Sequence, residues 1–345
     1  MQRVTYVIAL LAALGLAFPV QAGTAHKHHF PITVVDDHGN RVHITKQPKR
    51  LITLFPGQTE ILFALGLENR IVADGSQSAE GAHGIVNAAG KPRDFKYPSE
   101  WPATLGRDYP VKAPRLTHVE GGCCGTDYNL ETIESANPDL IFAPYSATEE
   151  PVYAKLRSLG LKVIILDPST LSGVLHDITL AGAATGTTGR AAKLVKTIRA
   201  SLASITRRLA SVKTRPRVYY EVDATNPTAP YTAGPKTFID DAINRARGHN
   251  VADAVRTCSG TLCYPQLDLE SLVAMNPQVI VLGDAEYGVT PADVRARSGW
   301  ETISAVSYNR IYKFDDDLIS RAGPRIAIGV LHLARNIHPQ AFRTR

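Results

Sequence analysis

The sequence predicts an α/β protein of two lobes with mainly parallel sheets, one on each side of a long central helix. Three observations carry that expectation. First, Arg190 to Val212 places Leu194, Ile198, Leu202, Ile205, Leu209 and Val212 at steps of four or three, one stripe of an α-helix. Lys193, Lys196, Arg199, Arg207 and Arg208 fall largely outside the stripe. Second, strand-like and helix-like stretches alternate on both sides of this segment. Third, Asn129–Pro144 (NLETIESANPDLIFAP) matches Asp268–Gly283 (DLESLVAMNPQVIVLG), one copy on each side. The expected organisation is a leader over 1–22, an N-terminal lobe over 23–188, a connecting helix over 189–213 and a C-terminal lobe over 214–345.

The central helix should be capped by Thr187 or Thr188, loosened at Gly189 and stopped by Pro216. At about 22 residues and 1.5 Å rise it would span ~33 Å, the width of a small domain. In the first lobe, Ile32–Ile44 reads as a hairpin turning at His38-Gly39-Asn40. Leu51–Leu54 is an apolar strand, Pro56-Gly57 a turn, and Thr59 the cap of a helix that Gly66 ends. Ile71–Ala73 is a short strand. Gly75 to Glu120 is a loop rich in Gly, Pro and polar residues, with Tyr97, Trp101 and Tyr109 among them. A loop of that length is usually functional, and in an open α/β sheet it reaches the ligand-binding carboxyl edge. Helices follow at Asn129–Ala136, Val152–Gly160 and Thr170–Ala184, with strands at Leu140–Phe142 and Val163–Leu166.

Beyond the central helix the pattern restarts. Arg217–Val222 is a strand, Tyr231–Gly234 a loop and Thr237–Arg247 a helix. Leu269–Met275 is helical, Val279–Leu282 and Ile311–Phe314 are strands, and Arg325–Asn336 is a final apolar helix. Within the internal match, Glu131 aligns with Glu270 and Asn137-Pro138 with Asn276-Pro277. Each glutamate sits early in a helix, where the helix dipole favours negative charge. By itself that would explain both.

Composition bounds the function. A chain of 345 residues that is 44% hydrophobic and 20% charged can bury two cores. The net charge of +6 is scattered rather than gathered in a basic block, so no nucleic-acid partner is expected. Arg3, the short apolar run Val7–Val20 and the small-residue site Val20-Gln21-Ala22 read as a secretory signal. That run is too short for a good membrane span, and no cysteine near the cut supplies a lipid anchor. The mature chain is expected in the periplasm or outside the cell. Cys123, Cys124, Cys258 and Cys263 in an exported chain suggest disulfides. Cys258–Cys263 is the first choice. The adjacent Cys123 and Cys124 are left as free thiols, a strained disulfide or a soft-metal site. The His26, His28 and His29 leader reads as a mobile tail with incidental histidines.

Several stretches together resemble the helical-backbone substrate-binding proteins of ABC importers, which serve cobalamin, ferric siderophores and haem. They are PKRLITLFPGQTEILFALGLENRIVA, the two repeat copies, SGWETISAVSYNRIYKFDDDL and RAGPRIAIGVLHLARNIHP. The resemblance covers about Ile32 to Pro339. It implies two Rossmann-like lobes joined by one rigid helix, a ligand cleft between the lobes, and a monomer that touches the membrane only through its permease. It implies that Glu131 and Glu270 dock on arginines of the permease transmembrane subunits. It places Tyr231 and Tyr264 where cobalamin binders have aromatic residues, and Cys123 and Cys124 near a further aromatic position. Cys124 and Cys263 occupy equivalent places, seven residues before each glutamate. Asp317 and Arg321 lie on a loop that the resemblance points into the cleft, where Arg321 would pair with an anionic cargo. Trp101, Tyr231, Tyr264, Cys123, Cys124, Asp317 and Arg321 are thus the expected ligand set; His118 and Tyr145 are weaker members. The cargo expected is a metal chelate, a corrinoid first, and no resident cofactor.

Two other classes compete. No GxSxG elbow, HExxH, Walker loop or Rossmann glycine fingerprint is present, so an exported enzyme would rest on Cys123 with His118 alone. A binding protein for a bare metal ion or oxyanion would use the histidine leader and the cysteines.

Overall fold

The computed structural model describes residues 30–75, 116–119, 121, 128–145, 149–256 and 263–343. The leader, most of the Gly75–Glu120 loop, Trp101, Cys123, Cys124 and Cys258 lie outside the described residues. The N-terminal lobe contains a parallel sheet of β3 (Leu51–Thr53), β4 (Ile71–Asp74), β5 (Thr117–His118), β6 (Leu140–Ala143) and β7 (Val163–Ile165), in spatial order β5-β4-β3-β6-β7. A hairpin of β1 (Ile32–Val35) and β2 (Arg41–Ile44) packs beside it. The C-terminal lobe carries β8 (Arg217–Asp223), β9 (Tyr231–Thr232), β10 (His249–Asn250), β11 (Val279–Leu282) and β12 (Ile311–Lys313). Its parallel order is β10-β8-β11-β12, with β9 antiparallel on β8. The Tyr231–Gly234 stretch, expected as a loop, thus begins as a strand, because the free side of Glu221–Asp223 can still accept a partner.

The helices are α1 (Pro56–Ala64), α2 (Leu130–Ser135), α3 (Glu150–Ser158), α4 (Leu171–Thr185), α5 (Thr188–Arg208), α6 (Phe238–Arg245), α7 (Leu269–Met275), α8 (Pro291–Ala296), α9 (Ser304–Ser307) and α10 (Ile326–Ile337). The central helix, α5, buries Ala191, Leu194, Val195, Ile198 and Ile205, with Leu209 fully buried at its end. Leu202 and Val212 are only partly buried. The helix is shorter than its apolar stripe. Hydrogen bonds from Ala210 to Arg207 and from Val212 to Leu209 replace the α pattern with tighter turns. Thr187 stands at the N-cap without a side-chain cap bond, and its hydroxyl meets that of Thr185 at 2.9 Å. Helix α1 likewise begins earlier than expected. Pro56 occupies its first turn, where a missing N–H costs nothing. Thr59 is therefore inside the helix, and its hydroxyl meets that of Thr53 at 2.6 Å.

The two lobes share one core. Helix α5 packs on α4 of the first lobe and on α10 of the second. A single buried cluster runs from Leu51, Leu140 and Phe142 through Ile178, Leu194 and Ile198 to Val218, Val281, Val330 and Leu333. The other face of each sheet has its own smaller cluster, one around Tyr153 and Ile141, the other around Tyr219 and Trp300. The helical layer between the sheets is thus continuous apolar packing, so the lobes cannot swing without exposing it.

The internal repeat extends further than the sequence match. Arg50 precedes β3 and donates to the carbonyls of Ala136 and Asn137 at the end of α2. Arg217 opens β8 and donates to the carbonyls of Met275 and Asn276 at the end of α7. Asn137 and Asn276 adopt left-handed backbones, φ 44° and 45°. Asparagine tolerates that region and so can end a helix there.

Candidate functional site

In each sheet the chain leaves the central pair in opposite directions, between β3 and β6 in one lobe and between β8 and β11 in the other. Such switch points open a crevice at the carboxyl ends of the strands. The first is bordered by Phe55, Pro144 and Tyr145, the second by Asp223, Gly283 and Asp284.

The two carboxyl edges meet at a tight seam. A Cβ at Gly57 would collide with the backbone carbonyl of Arg321, so only glycine permits this approach. One turn on, Glu60 is completely buried. Arg325 grips it through Nε at 2.9 Å and Nη2 at 2.5 Å, and Arg321 Nη1 lies 3.4 Å away. Arg321 Nε also contacts Asp317 Oδ1 at 2.7 Å. Burial pulls the Arg325 pKa down, but the Glu60 carboxylate overrides it and keeps the guanidinium charged. Arg321, one of the residues expected to face cargo, thus pairs with both Asp317 and Glu60. Glu60 and Arg325, absent from the site residues expected from sequence, sit on buried faces of largely apolar helical segments. A charge at such a position in TEILFALG and PRIAIGVL was the available signal.

Behind the seam, Asp316 accepts from the Tyr220 hydroxyl at 2.5 Å. Burial raises the Asp316 pKa to about 6, against the hydrogen bonds from Ser320 and Tyr220. Tyr264 is partly buried on the shared core, and burial followed by the nearby Asp316 charge raises its pKa. It packs against the lobe more than it faces outward. Tyr231 is 43% exposed at the open end of β8 and, among the described residues of the expected ligand set, is the one most available for stacking. Tyr145 stacks on His38 with centroids 3.9 Å apart, and His38 Nε2 contacts Asp167 at 3.0 Å. His118 ends the edge strand β5. Cys263 is buried. Its sulfur fills the place where a Cβ at Gly234 would sit.

Beside the second crevice, Glu221 is fully buried and receives Arg297 Nη1 and Nη2 at 2.5 and 2.8 Å. The Arg297 guanidinium lies 4.6 Å from the Trp300 ring centre. Asp284 is also buried, and neither of its oxygens makes a well-formed hydrogen bond among the described residues. Burial and the Glu221 charge raise its pKa to about 7, against the pull of Arg297.

Glu131 and Glu270 are exposed, each the second residue of its helix. Asn129 caps α2 through Thr132 N at 3.0 Å, and Asp268 caps α7 through Ser271 N at 2.8 Å. The arginine bonds at the far ends of α2 and α7 show that both helices run antiparallel to the strands. Both glutamates therefore stand at the carboxyl edges, the side on which the crevices open.

Two α/β sheets fused through a common helical layer, with their carboxyl edges drawn to one seam, define the fold of a two-lobed binding protein. Residues 51–318 match the periplasmic binding protein family, and the chain belongs to it. It is 28% identical over 317 residues to an ABC transporter substrate-binding lipoprotein of Bacillus subtilis, covering 91% of this chain and 88% of that one. It is 28% identical over 314 residues to a cobalamin-binding protein of Halobacterium salinarum, covering 90% and 74%. Among solved structures, the vitamin B12-binding protein BtuF of Vibrio cholerae aligns with TM-score 0.64 at 22% identity, covering 86% of this chain and 99% of that one. The haem-binding protein RhuT of Roseiflexus aligns with TM-score 0.65 at 22% identity, covering 85% and 99%. These structural likenesses establish the fold. No described helix is long and apolar enough to cross a membrane.

Proposed function

We propose that this chain is the extracytoplasmic substrate-binding component of an ABC importer, and that its cargo is a metal chelate. A corrinoid is the first choice; a ferric siderophore or haem is next. The observation that carries the reading is the pair of exposed glutamates, Glu131 and Glu270, set identically on capped helices at the carboxyl edges of the two lobes. A symmetric pair at constant separation suits a symmetric membrane partner carrying arginines. Exposed ion pairs are individually weak, so two of them with matched shape are needed for docking. The named roles of the Bacillus and Halobacterium relatives support delivery to a permease and a corrinoid cargo.

The cleft would hold its cargo by aromatic faces, Tyr231 foremost, with Trp101, Cys123 and Cys124 contributed by the segments that follow β4 and β5. Tyr264 would support that surface from behind. Asp317 and Arg321 would position the seam beneath the cargo. A leader over 1–22, directing export to the periplasm, and a Cys258–Cys263 disulfide belong to the same reading.

A thermal-shift series with cyanocobalamin, haemin, ferric siderophores and free divalent metals tests the cargo. At a hundredfold excess over Kd, one tight ligand should add about 2.7 kcal/mol to stability. A shift with free metal alone would overturn the chelate reading.

A further inference from the structure

The family match begins at Leu51, so the hairpin of β1 and β2 lies outside it. Its turn nevertheless reaches the carboxyl edge of the N-terminal sheet. The buried Asp36 carboxylate organises the turn: Oδ1 accepts from His38 N at 3.1 Å and Asn40 N at 2.8 Å, and Oδ2 accepts from Asn40 Nδ2 at 3.0 Å. The same Oδ2 accepts from Ile165 N at 3.0 Å, at the end of β7. Asp37 N donates to Ile165 O at 3.3 Å, and Asp37 Oδ2 accepts from Asp167 N at 2.7 Å. The backbone of His38 is thereby fixed against the strand end.

The ring of His38 is fixed as well. Its Nε2 lies 3.0 Å from Asp167 Oδ2, and a carboxylate only accepts, so Nε2 carries the hydrogen and the bond sets the ring plane. Held this way, the imidazole lies flat on Tyr145, with centroids 3.9 Å apart and planes within 21°. Tyr145 follows β6 at the border of the first crevice, is half-buried, and packs partly on the cluster around Tyr153. His38 thus covers one face of a phenol ring at the rim of the N-terminal lobe.

The His38–Asp167 pair is partly exposed, and such pairs contribute little to stability. Fixing an aromatic ring beside a binding crevice has a larger effect, because a ring already held in place loses less freedom when a ligand stacks on it. We propose that His38 is a positioning residue of the cargo site, holding Tyr145 so that its other face meets a flat chelate already aligned. The effect on cargo rests on the chelate reading above; the hold on Tyr145 does not.

Two measurements on the full chain separate these claims. Ring-13C tyrosine NMR, with Tyr145 assigned through Tyr145→Phe, reads the stack without cargo. The Tyr145 resonances should carry a ring-current shift that His38→Ala abolishes and His38→Phe, which keeps a flat ring, largely retains. Tyr145 resonances unchanged in His38→Ala would overturn the hold. Titration with cyanocobalamin, haemin and a ferric siderophore reads the consequence. For whichever probe the parent binds, His38→Ala should weaken binding about three- to tenfold and His38→Phe by less than about twofold. Adding His38→Ala to Tyr145→Ala should cause no further loss. An undiminished affinity in His38→Ala would overturn the positioning role. So would a loss that persists in the Tyr145→Ala background, since His38 would then act on the cargo directly. A parent chain that binds none of the probes, with the ring-current shift present, would overturn the cargo reading and the effect on cargo that rests on it.

Discussion

Removing Glu60 should destabilise the whole protein while leaving its surface untouched. Glu60 is fully buried, and Arg325, which grips it through two nitrogens, is 2% exposed. Glu60→Ala leaves the Arg325 charge in the interior with the Asp317 carbonyl at 3.2 Å as a remaining acceptor. Breaking one partner of a buried pair costs about 3–5 kcal/mol, far more than an exposed pair is worth. Glu60→Gln keeps one acceptor oxygen and should cost less. The double variant Glu60→Gln/Arg325→Met removes both charges and should cost clearly less than the sum of its singles. Urea denaturation followed by circular dichroism measures all four chains. The shared core further predicts one cooperative transition for both lobes. Strict additivity across the cycle, or a Glu60→Ala cost under about 1 kcal/mol, would show that the seam is not an ion-pair lock. Two separated transitions in the parent chain would refute the single core.

Further outcomes follow from the same contacts. Gly57→Ala places a Cβ against the Arg321 carbonyl and should cost about 1–3 kcal/mol, read as a lowered midpoint in the same denaturation. Glu131→Arg/Glu270→Arg should abolish transport in reconstituted vesicles with cargo affinity unchanged; normal uptake would remove the docking role. Asp284 and Asp316 have pKa values raised to about 7 and about 6, so both bind protons more tightly folded than unfolded. Their contribution is complete below about pH 4 and is lost as pH rises to about 7, with a slope near 1.4 kcal/mol per pH unit for each group at most. Asp284→Asn should flatten that decline, measured as the midpoint of unfolding from pH 4 to 8. Arg50→Ala removes three bonds to the end of α2 from an exposed side chain and should cost about 1–2 kcal/mol.

The alternation of apolar runs, the stripe on α5 and the repeated Leu-Glu and Asn-Pro pairs were enough to read two α/β lobes around a helix. These are local signals, because strand and helix periods and the cap residues Asn129, Thr170, Thr237 and Asp268 act within a few residues. Helix α7, capped by Asp268, and strand β11, a continuous apolar run buried on both faces, fall where the sequence places them. The helix ends differ from those expected at Thr59 and Val212 because a proline in the first turn and a tight final turn satisfy the same backbone groups as a cap.

What only the tertiary structure decided is which charges meet. Glu60 and Arg325 are 265 residues apart, and nothing near either names the other. The same holds for Arg321, which the family resemblance places toward an anionic cargo and which the fold pairs with Glu60 and Asp317. Periodicity reports which face of an element is buried. The partner of a buried charge is fixed only when distant elements pack, because desolvation makes an unpaired charge intolerable and leaves the packing to select its counterion.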